Sequence, residues 1–316
     1  MTPSAPVPRH ALVLTAGLGK RLRPLTAVRA KPAMPVAGEP LIRRIIAWLA
    51  ANGVTDLVLN LHHLPETLTA RVGDGTDLSA RVRYSWEQPE ILGSAGGPRQ
   101  ALPILGAGTF LIVNGDTLTD VDLPALAAAH AASAALVTLA LVPNVEPLRY
   151  GGVHLDAGHA VTGFVARGAA AAGSHHFIGV QIVSADVFRG LPAGRATSSI
   201  GGVYDELLAT VPGAIRGYVC HARFWDVGTL DDYLKTSTAF MADPEAVTNG
   251  ERVRIDPSAR ISRSILWDDV EVAAHVTLEG CIVTDRVSVP KGSTYRDVVL
   301  IASEGGIVAH PLRSVD

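Results

Sequence analysis

Short apolar runs rich in β-branched residues alternate with amphipathic segments as far as Tyr150. The run ALVLTAG from Ala11 predicts a first strand, and the segment PLIRRIIAWLAANG predicts a helix that ends at an Asn-Gly pair. In this helix Leu41, Ile45 and Leu49 share one face with Trp48. Further strands are predicted at TDLVLNL, RVRYSWE, TFLIVNGD and ALVTLALV, with helical segments between them. The alternation predicts an α/β domain with a mostly parallel sheet.

From Gly151 the pattern changes to closely spaced strands. The segments GGVHLD, AVTGFVAR and HFIGVQIV follow one another without a long helical segment between them. Helical patterns return at YDELLATV and TLDDYLKTSTAFMA. The chain is therefore predicted to carry an inserted antiparallel region.

After ADPEAVTNG, apolar residues recur every six positions. One series contains Ile255, Ile261, Val270, Val276 and Ile282, a second contains Val272 and Leu278, and the register slips around Trp267. A six-residue period is typical of a parallel β-helix, although an ordinary small β-domain is the alternative. We assign residues 1–247 to the α/β domain and 248–316 to the β-helix. Because such coils can stack on a partner, we expect a homo-oligomer.

Composition narrows the class of ligand. The 316 residues are 48% hydrophobic and carry 27 Lys and Arg against 30 Asp and Glu, so we expect neither a nucleic-acid partner nor a membrane partner. Cys220 and Cys281 have no disulfide or zinc-site spacing. The N-terminal MTPSAPVPRH lacks the apolar core of a signal peptide. These features predict a cytoplasmic protein that binds a small ligand.

The stretch TAGLGKRLRPLTAVRAKPAMPV, Thr15 to Val36, directly follows the first predicted strand. It lacks the third small residue of a dinucleotide fingerprint and the spacing of a Walker A loop. A glycine-rich turn remains, in which backbone N–H groups and nearby cations can face an anion. Prolines stiffen the loop that carries Lys31. The stretch predicts a triphosphate site, although a solvated basic loop is the alternative.

This stretch resembles the signature of the sugar-1-phosphate nucleotidyltransferases, Gly-x-Gly-x-Arg-Leu-x-Pro-Leu-Thr followed by Pro-Lys-Pro. Ala30 stands where the family commonly has proline. The resemblance covers residues 1 to about 240, and the hexapeptide-repeat tail is similar to that of bacterial mannose-1-phosphate guanylyltransferases. It implies a Rossmann-like mixed-sheet nucleotidyltransferase domain with a short C-terminal left-handed parallel β-helix. It also implies transfer of a nucleotidyl group from a nucleoside triphosphate to a sugar-1-phosphate, with Mg²⁺.

The resemblance also implies roles for individual residues. In NGD and WDVGT, Asp116 and Asp226 match the family's metal ligands. Arg21 and Lys31 match its catalytic cations. The implied nucleotide-binding residues are Ala16, Gly17, Gly19, Lys20, Arg21, Gln88, Gly93 and Gly96. The implied sugar-phosphate-binding residues are Asn114, Gly152 and Arg167.

Two of these matches are less specific. In EQPEILGSAGG, either Glu87 or Gln88 is expected at the base edge, and the alternative is a glycine-rich helix entry. In GFVARGAA, the family's Glu-Lys-Pro is replaced by Ala-Arg-Gly, so Arg167 stands in place of the sugar-phosphate lysine. An exposed arginine at a strand end is the alternative there.

The resemblance leaves base and sugar open. A guanylyltransferase making GDP-mannose is the first expectation, because of the tail. A uridylyltransferase acting on N-acetylmuramate-1-phosphate or a related sugar is the alternative, because SAGG followed by a short basic helix is similar to that group. A catalytically silent homologue that senses nucleotide sugars is a third hypothesis, but the four residues Arg21, Lys31, Asp116 and Asp226 are all present.

Overall fold

The computed structural model describes residues 6–241, 243 and 247–312. Residues 1–5, half of the segment considered for a signal peptide, lie outside the described residues. The chain forms two compact units. The first contains Met1–Gly17, Ile45–Pro65 and Val72–Phe224, and the second contains Leu18–Arg44, Glu66–Arg71 and Trp225–Asp316.

Helices and strands alternate along the described chain. The helices are α1 (Leu41–Ala51), α2 (Pro65–Val72), α3 (Gly93–Leu105), α4 (Leu123–Ala131), α5 (Asp186–Arg189), α6 (Tyr204–Thr210) and α7 (Leu230–Ala239). The strands up to the start of α7 are β1 (His10–Leu14), β2 (Pro35–Val36), β3 (Glu39–Pro40), β4 (Asp56–Leu61), β5 (Arg81–Trp86), β6 (Thr109–Asn114), β7 (Thr117–Thr119), β8 (Val137–Pro143), β9 (Gly152–Leu155), β10 (Val161–Val165), β11 (His175–Ser184), β12 (Ile215–Val219) and β13 (Phe224–Asp226). The C-terminal strands are β14 (Thr248–Asn249), β15 (Arg254–Ile255), β16 (Arg260–Ser262), β17 (Ile265–Leu266), β18 (Glu271–Val272), β19 (Thr277–Glu279), β20 (Ile282–Val283), β21 (Ser288–Val289), β22 (Thr294–Arg296), β23 (Val298–Ser303) and β24 (Gly306–Pro311).

The first unit is built on one mixed sheet. Among the described residues its strand order is β10-β9-β11-β6-β1-β4-β5, and β8 pairs with both β11 and β12. Strands β6, β1, β4 and β5 are parallel, whereas β11 runs antiparallel to β6, β8 and β9. The predicted α/β fold and the predicted antiparallel region are both confirmed.

The apolar runs of these strands form the core of the first unit. Leu12, Phe110 and Leu139 come from three different strands and are fully buried in one cluster. Parallel strands that are covered on both faces have continuous apolar runs rather than alternating ones, and LVL in β1 and FLIV in β6 fit that rule. The carboxyl ends of β1, β4 and β6 therefore lie along one edge of the sheet.

In the second unit, the signature stretch from Leu18 onward folds into three short 3₁₀ turns. They cover Lys20–Leu22, Leu25–Ala27 and Lys31–Ala33, and the hairpin β2–β3 follows them. Gly19 precedes the first turn with a φ of 57°, in the left-handed region. A Cβ there would lie 2.7 Å from Cγ2 of Thr26, so both backbone angle and space favour glycine.

The C-terminal strands form three parallel stacks, the arrangement of a parallel β-helix. The stacks are β14-β17-β20-β23, β15-β18-β21 and β16-β19-β22, and β24 pairs antiparallel with β23. Residues paired in neighbouring strands, such as Thr248, Ile265 and Ile282, are 17 positions apart. Ser264 and Cys281, which are hydrogen-bonded to each other, have the same spacing. Since a coil is one residue shorter than three hexapeptides, the six-residue period slips once per coil. This shortening explains the slip seen around Trp267.

In the core of this β-helix, each stack contributes a row of apolar side chains from equivalent positions of its strands. Leu266 and Val283 line the first stack, and Val272 and Val289 line the second. The coil corners repeat as well, because Arg252, Asp269 and Arg286 all have φ between 55° and 60°. Ile255 of the first apolar series is 38% exposed, since its strand belongs to the first coil.

Among the residues that the structure describes, no helix combines the length and the apolar character needed to cross a bilayer.

Candidate active site

In the first unit, a buried polar network joins three neighbouring strand ends. Thr15, which follows β1, donates its N–H to Asn60 Oδ1 at 2.6 Å, and its hydroxyl contacts the Asn60 carbonyl. Asn60 Nδ2 in turn donates to Glu87 Oε1 at 2.7 Å, and the Leu92 N–H donates to Glu87 Oε2 at 2.7 Å. Glu87 is fully buried. The carboxylate therefore ties β4 to the loop before α3.

This network bears on the two residues considered for the base edge. The carboxylate oxygens of Glu87 are both engaged inside the protein, whereas Gln88 is exposed. A Cβ on Gly97 would lie 2.5 Å from Glu87 Oε1, so the helix passes directly over the carboxylate. Between the two, Gln88 is the side chain that remains accessible to a ligand.

The glycines of α3 are packed against another loop of the same unit. A Cβ on Gly96 would lie 2.5 Å from the Arg195 carbonyl oxygen, and one on Gly93 would lie 2.9 Å from that of Thr197. The N–H groups of Ala95 and Gly96 donate to the Thr197 carbonyl at 2.9 and 3.2 Å. Close packing thus accounts for both glycines without a ligand. By contrast, a Cβ on Gly17 would meet nothing within 4 Å.

The NGD motif lies at the carboxyl end of β6, where open α/β sheets bind their ligands. The Gly115 N–H donates to the Leu14 carbonyl at 3.0 Å. A Cβ on Gly115 would lie 2.6 Å from that oxygen, so only glycine lets β6 approach β1 here. Asp116 is half-buried next to this contact and accepts a hydrogen bond from Thr117 Oγ1 at 3.3 Å. Its carboxylate is thus held at the sheet edge.

The predicted sugar-phosphate residues of the first unit differ in surroundings. Asn114 ends β6, and a Cβ on Gly179 would lie 2.7 Å from its Nδ2 atom. Gly152 is buried, and a Cβ there would collide with Ser174 Oγ. Arg167 follows β10 and is exposed, and the structure describes no hydrogen bond or ion pair for it among residues 6–241, 243 and 247–312. Of the three, Arg167 offers an accessible charge.

In the second unit, the signature cations occupy two kinds of environment. Lys20, Arg21 and Arg23 are exposed, and no ion pair with another described residue neutralises them. Lys31 is only 8% exposed, and its Cβ packs beside Gly19. The loop therefore presents several cations to solvent and holds one lysine within the fold.

Asp226 lies before the turn into α7, also in the second unit. The same turn places three charged atoms around Gly228, whose Cβ position is 2.9 Å from Asp226 Oδ2, 3.2 Å from Asp232 Oδ2 and 3.3 Å from Arg21 Nη2. Thr229 caps α7: it accepts from the Asp232 N–H at 3.2 Å and donates to Asp232 Oδ2 at 2.8 Å. Two carboxylates and one guanidinium thus converge on one backbone turn.

Sequence reasoning missed Asp232. It is 8% exposed and lies beside Asp226 in this turn, although the segment Thr-Leu-Asp-Asp carries a recognisable N-terminal capping pattern. Sequence reasoning also missed the role of Asn60, for which no local signal exists.

The described residues hold no group of three or more His, Cys, Asp or Glu side chains arranged to bind a metal.

Comparison with known proteins places these features in context. A family profile described as "Nucleotidyl transferase" matches residues 10–242. The chain is 30% identical over 294 residues to mannose-1-phosphate guanylyltransferase of Mycobacterium tuberculosis, covering 89% of this chain and 81% of the relative. It is 44% identical over 115 residues to N-acetylmuramate alpha-1-phosphate uridylyltransferase of Neisseria meningitidis serogroup B, covering 36% of this chain and 50% of that relative.

Solved structures show the same fold. HddC from Yersinia pseudotuberculosis aligns with a TM-score of 0.64 at 23% identity, covering 73% of this chain and 99% of that chain. At this identity the likeness concerns the fold and not the substrate.

Proposed function

Because the chain belongs to the nucleotidyl transferase family and is a sugar-1-phosphate nucleotidyltransferase, we propose that its specific product is GDP-mannose. The observation that carries this choice is that the guanylyltransferase match combines 30% identity with coverage of 89% of the chain, which includes C-terminal strands. In the reaction, an oxygen of mannose-1-phosphate attacks the α-phosphorus of GTP. The new P–O bond forms as the bond to the β-phosphate breaks, and pyrophosphate leaves.

A UDP-sugar product is the second candidate. One uridylyltransferase match covers 85% of the chain, but at 26% identity; the other has a higher identity, 44%, but is confined to 115 residues. A local match of this kind reflects the shared signature more than the complete substrate site. A silent nucleotide-sugar sensor is the third candidate, and the presence of all four predicted catalytic and metal-binding side chains argues against it.

The signature cations have the charges that this reaction needs. The substrates are two polyanions, and a transferase must hold them together while negative charge redistributes. We propose that Lys20 and Arg21 bind the triphosphate, together with N–H groups of the turn from Ala16 to Gly19. Lys31, which is held within the fold, is proposed to act on the charge that develops during transfer.

The carboxylates fit a hard divalent cation. Mg²⁺ prefers oxygen ligands and usually retains several waters, so few protein ligands suffice. We propose Asp116 and Asp226 as ligands. The convergence of a second carboxylate, Asp232, on the Asp226 turn supports the choice of a cation there. When bound, Mg²⁺ would neutralise phosphate charge during transfer.

The acceptor phosphate needs its own cation. Arg167 is exposed, and its guanidinium can bond two phosphate oxygens at once. We propose that it replaces the lysine that the family commonly has at this point. Asn114 and Gly152 complete the proposed sugar-phosphate set, and a homo-oligomer is the proposed assembly.

The test is pyrophosphate release over a matrix of nucleoside triphosphates and sugar-1-phosphates. We expect the highest kcat/KM for GTP with mannose-1-phosphate. A higher value for UTP with a sugar-1-phosphate would replace the proposal by the second candidate. No release with any pair, together with tight nucleotide-sugar binding, would favour the sensor.

A further inference from the structure

A buried arginine lies two residues before Lys31 in the signature stretch. The Arg29 side chain is 3% exposed, and its Nε atom donates to Asp285 Oδ2 at 2.7 Å. Its Nη2 atom donates to Asp268 Oδ2 at 2.8 Å and also contacts Asp285 Oδ1. These three residues belong to the same compact unit, although Arg29 is more than 230 positions from either aspartate. The guanidinium is thus held through its Nε and Nη2 atoms by two carboxylates of the β-helix.

The β-helix itself explains why two carboxylates meet one guanidinium. Asp268 follows β17 and Asp285 follows β20, which are neighbours in one parallel stack. Equivalent positions of adjacent strands lie about 4.8 Å apart. A planar guanidinium can span such a pair, because its donors point in fixed diverging directions. The repeat of the coil therefore places two carboxylates close enough to bind the Arg29 guanidinium.

Asp268 is favoured in its charged form although it is screened from solvent. Asp268 is 7% exposed and also pairs with Arg71. Burial opposes its ionisation, but the Glu251 N–H and the Arg29 and Arg71 charges hold the pKa of Asp268 below its usual value. Charged partners strengthen each hydrogen bond to the guanidinium.

A second set of contacts anchors the loop on the other side of Lys31. The Arg29 guanidinium lies 5.0 Å from the ring centroid of Trp267, which is fully buried. Trp267 Nε1 donates to the Tyr233 hydroxyl at 3.0 Å, and that hydroxyl donates to the Pro35 carbonyl at 2.6 Å. The loop is thus fixed at both ends, with Lys31 between them.

The residue between Arg29 and Lys31 contributes a further contact. Where the family signature commonly has proline, Ala30 donates its N–H to Thr67 Oγ1 at 3.0 Å. Proline has no N–H and would lose this bond. In this chain, a hydrogen bond and an ion cluster restrain the loop where a proline ring would otherwise restrict it.

We propose that Arg29 is a positioning residue for Lys31, and that Asp268 and Asp285 of the β-helix hold it in place. The inference rests on the proposed catalytic role of Lys31. The β-helix then acts on the reaction without contacting substrate, because its carboxylates fix the backbone that carries the lysine. A displacement of about 1 Å at a reacting group can lower turnover about 10²-fold.

Lysine labelling tests the positioning without measuring activity. The chain has four lysines, of which Lys20, Lys235 and Lys291 are exposed references for the buried Lys31. In the full-length protein, we expect Arg29→Met to raise the rate of Lys31 acylation at least fivefold relative to the three references. Arg252→Met is the matched control, because Arg252 also pairs with an aspartate of the β-helix, Asp269, but is exposed. It should leave the ratio unchanged.

Turnover in a double-mutant cycle tests whether Arg29 acts through Lys31. Arg29→Met should lower kcat at least tenfold and change the KM for the triphosphate less than threefold, whereas Arg29→Lys should recover part of kcat. In a Lys31→Ala background, adding Arg29→Met should lower kcat less than twofold relative to Lys31→Ala alone. Asp285→Asn, at a side chain that is 20% exposed, provides a milder variant should Arg29→Met fail to fold.

Two results would overturn the inference. One is an unchanged Lys31 labelling ratio together with wild-type kcat in Arg29→Met and Asp285→Asn. The other is a full multiplicative loss in the double variant, which would mean that Arg29 acts independently of Lys31. Wild-type kcat in Lys31→Ala is a different failure, because it would remove the proposed catalytic role itself.

Discussion

At the scale of the residue, identical charges in the signature stretch differ in burial, and we therefore expect them to have different tasks. Lys20 and Arg21 are exposed and suited to capturing an anion from solvent, whereas Lys31 is 8% exposed. A buried cation keeps a fixed position and acts in a medium where electrostatic interactions are stronger than in water. The distinction predicts that these residues affect different kinetic constants.

Replacement of Lys31 by alanine should therefore lower turnover more than binding. We expect kcat to fall about 10²–10³-fold, as for the loss of one donor that stabilises transition-state charge. Steady-state kinetics with saturating triphosphate measures this effect. Lys291→Ala, at an exposed lysine of the β-helix, is the control and should behave as wild type. Unchanged kcat with a raised KM in Lys31→Ala would reduce the lysine to a binding residue.

The carboxylates Asp116 and Asp226 should control the requirement for magnesium. In Asp116→Asn and Asp226→Asn, we expect at least a tenfold rise in the Mg²⁺ concentration that gives half-maximal turnover, because each loses an anionic ligand. A magnesium titration of pyrophosphate release measures it. Asp186→Asn, at an exposed carboxylate paired with Arg189, serves as the control. A wild-type titration curve for either variant would disprove that ligand.

His176 should make stability depend on pH. Its ring lies 4.2 Å from that of Tyr150 and 5.1 Å from that of Phe224, and burial lowers its pKa from 6.5 to about 4. Between these values the unfolded chain takes up a proton that the native state does not bind. Stability therefore falls as the pH drops through this window, by about 3 kcal/mol in all.

The measurement is the decrease in Tm between pH 7.5 and pH 5. It should be smaller in His176→Gln than in the wild type, whereas His221→Gln, at an exposed histidine, should keep the wild-type decrease. Equal decreases in all three proteins would contradict the assignment.

At the scale of the element, the contact between β1 and β6 determines where Asp116 lies. Strand β6 approaches β1 closely because Gly115 has no Cβ. Gly115→Ala should lower the free energy of unfolding by about 1–3 kcal/mol, the usual cost of overpacking. Gly163→Ala in β10 is the matched control, because a Cβ there meets nothing within 4 Å. Thermal unfolding measures the Tm of both variants, and Gly115→Ala should have the lower Tm. Equal Tm values would show that the strands adjust freely.

At the scale of the whole molecule, the first coil of the β-helix offers strand edges for assembly. In β15, the N–H groups of Arg254 and Asp256 donate to the next coil, so the N–H of Ile255 points the other way. We expect a homo-oligomer, with a mass by light scattering that is a multiple of 33.0 kDa. Ile255→Pro, which removes the outward N–H, should weaken assembly, whereas Ile255→Val should not. A single-chain mass for the wild type at all concentrations would exclude the oligomer.

Local sequence pattern was sufficient for the elements and for the ends of strands. The apolar runs of β1 and β6, the position of Asp116 at the end of a strand and that of Asp226 before the turn into a helix follow from neighbours within a few residues. Periodicity and turn chemistry act over such distances, so they can be recognised in the sequence. The β-helix was predicted on the same basis, whereas its 17-residue coil and the antiparallel pairing of β24 required the structure.

Tertiary structure alone decided which side chains are accessible and which are engaged. Glu87 and Gln88 are adjacent in sequence, yet one is buried between Asn60 and Leu92 and the other is exposed. Arg29 looks like the other signature cations, but its partner Asp285 is 256 residues away. Burial and pairing depend on contacts between distant segments, and no local pattern records them. The sequence therefore determined the chemistry available to this protein, and the fold decided which groups carry it and which hold them in place.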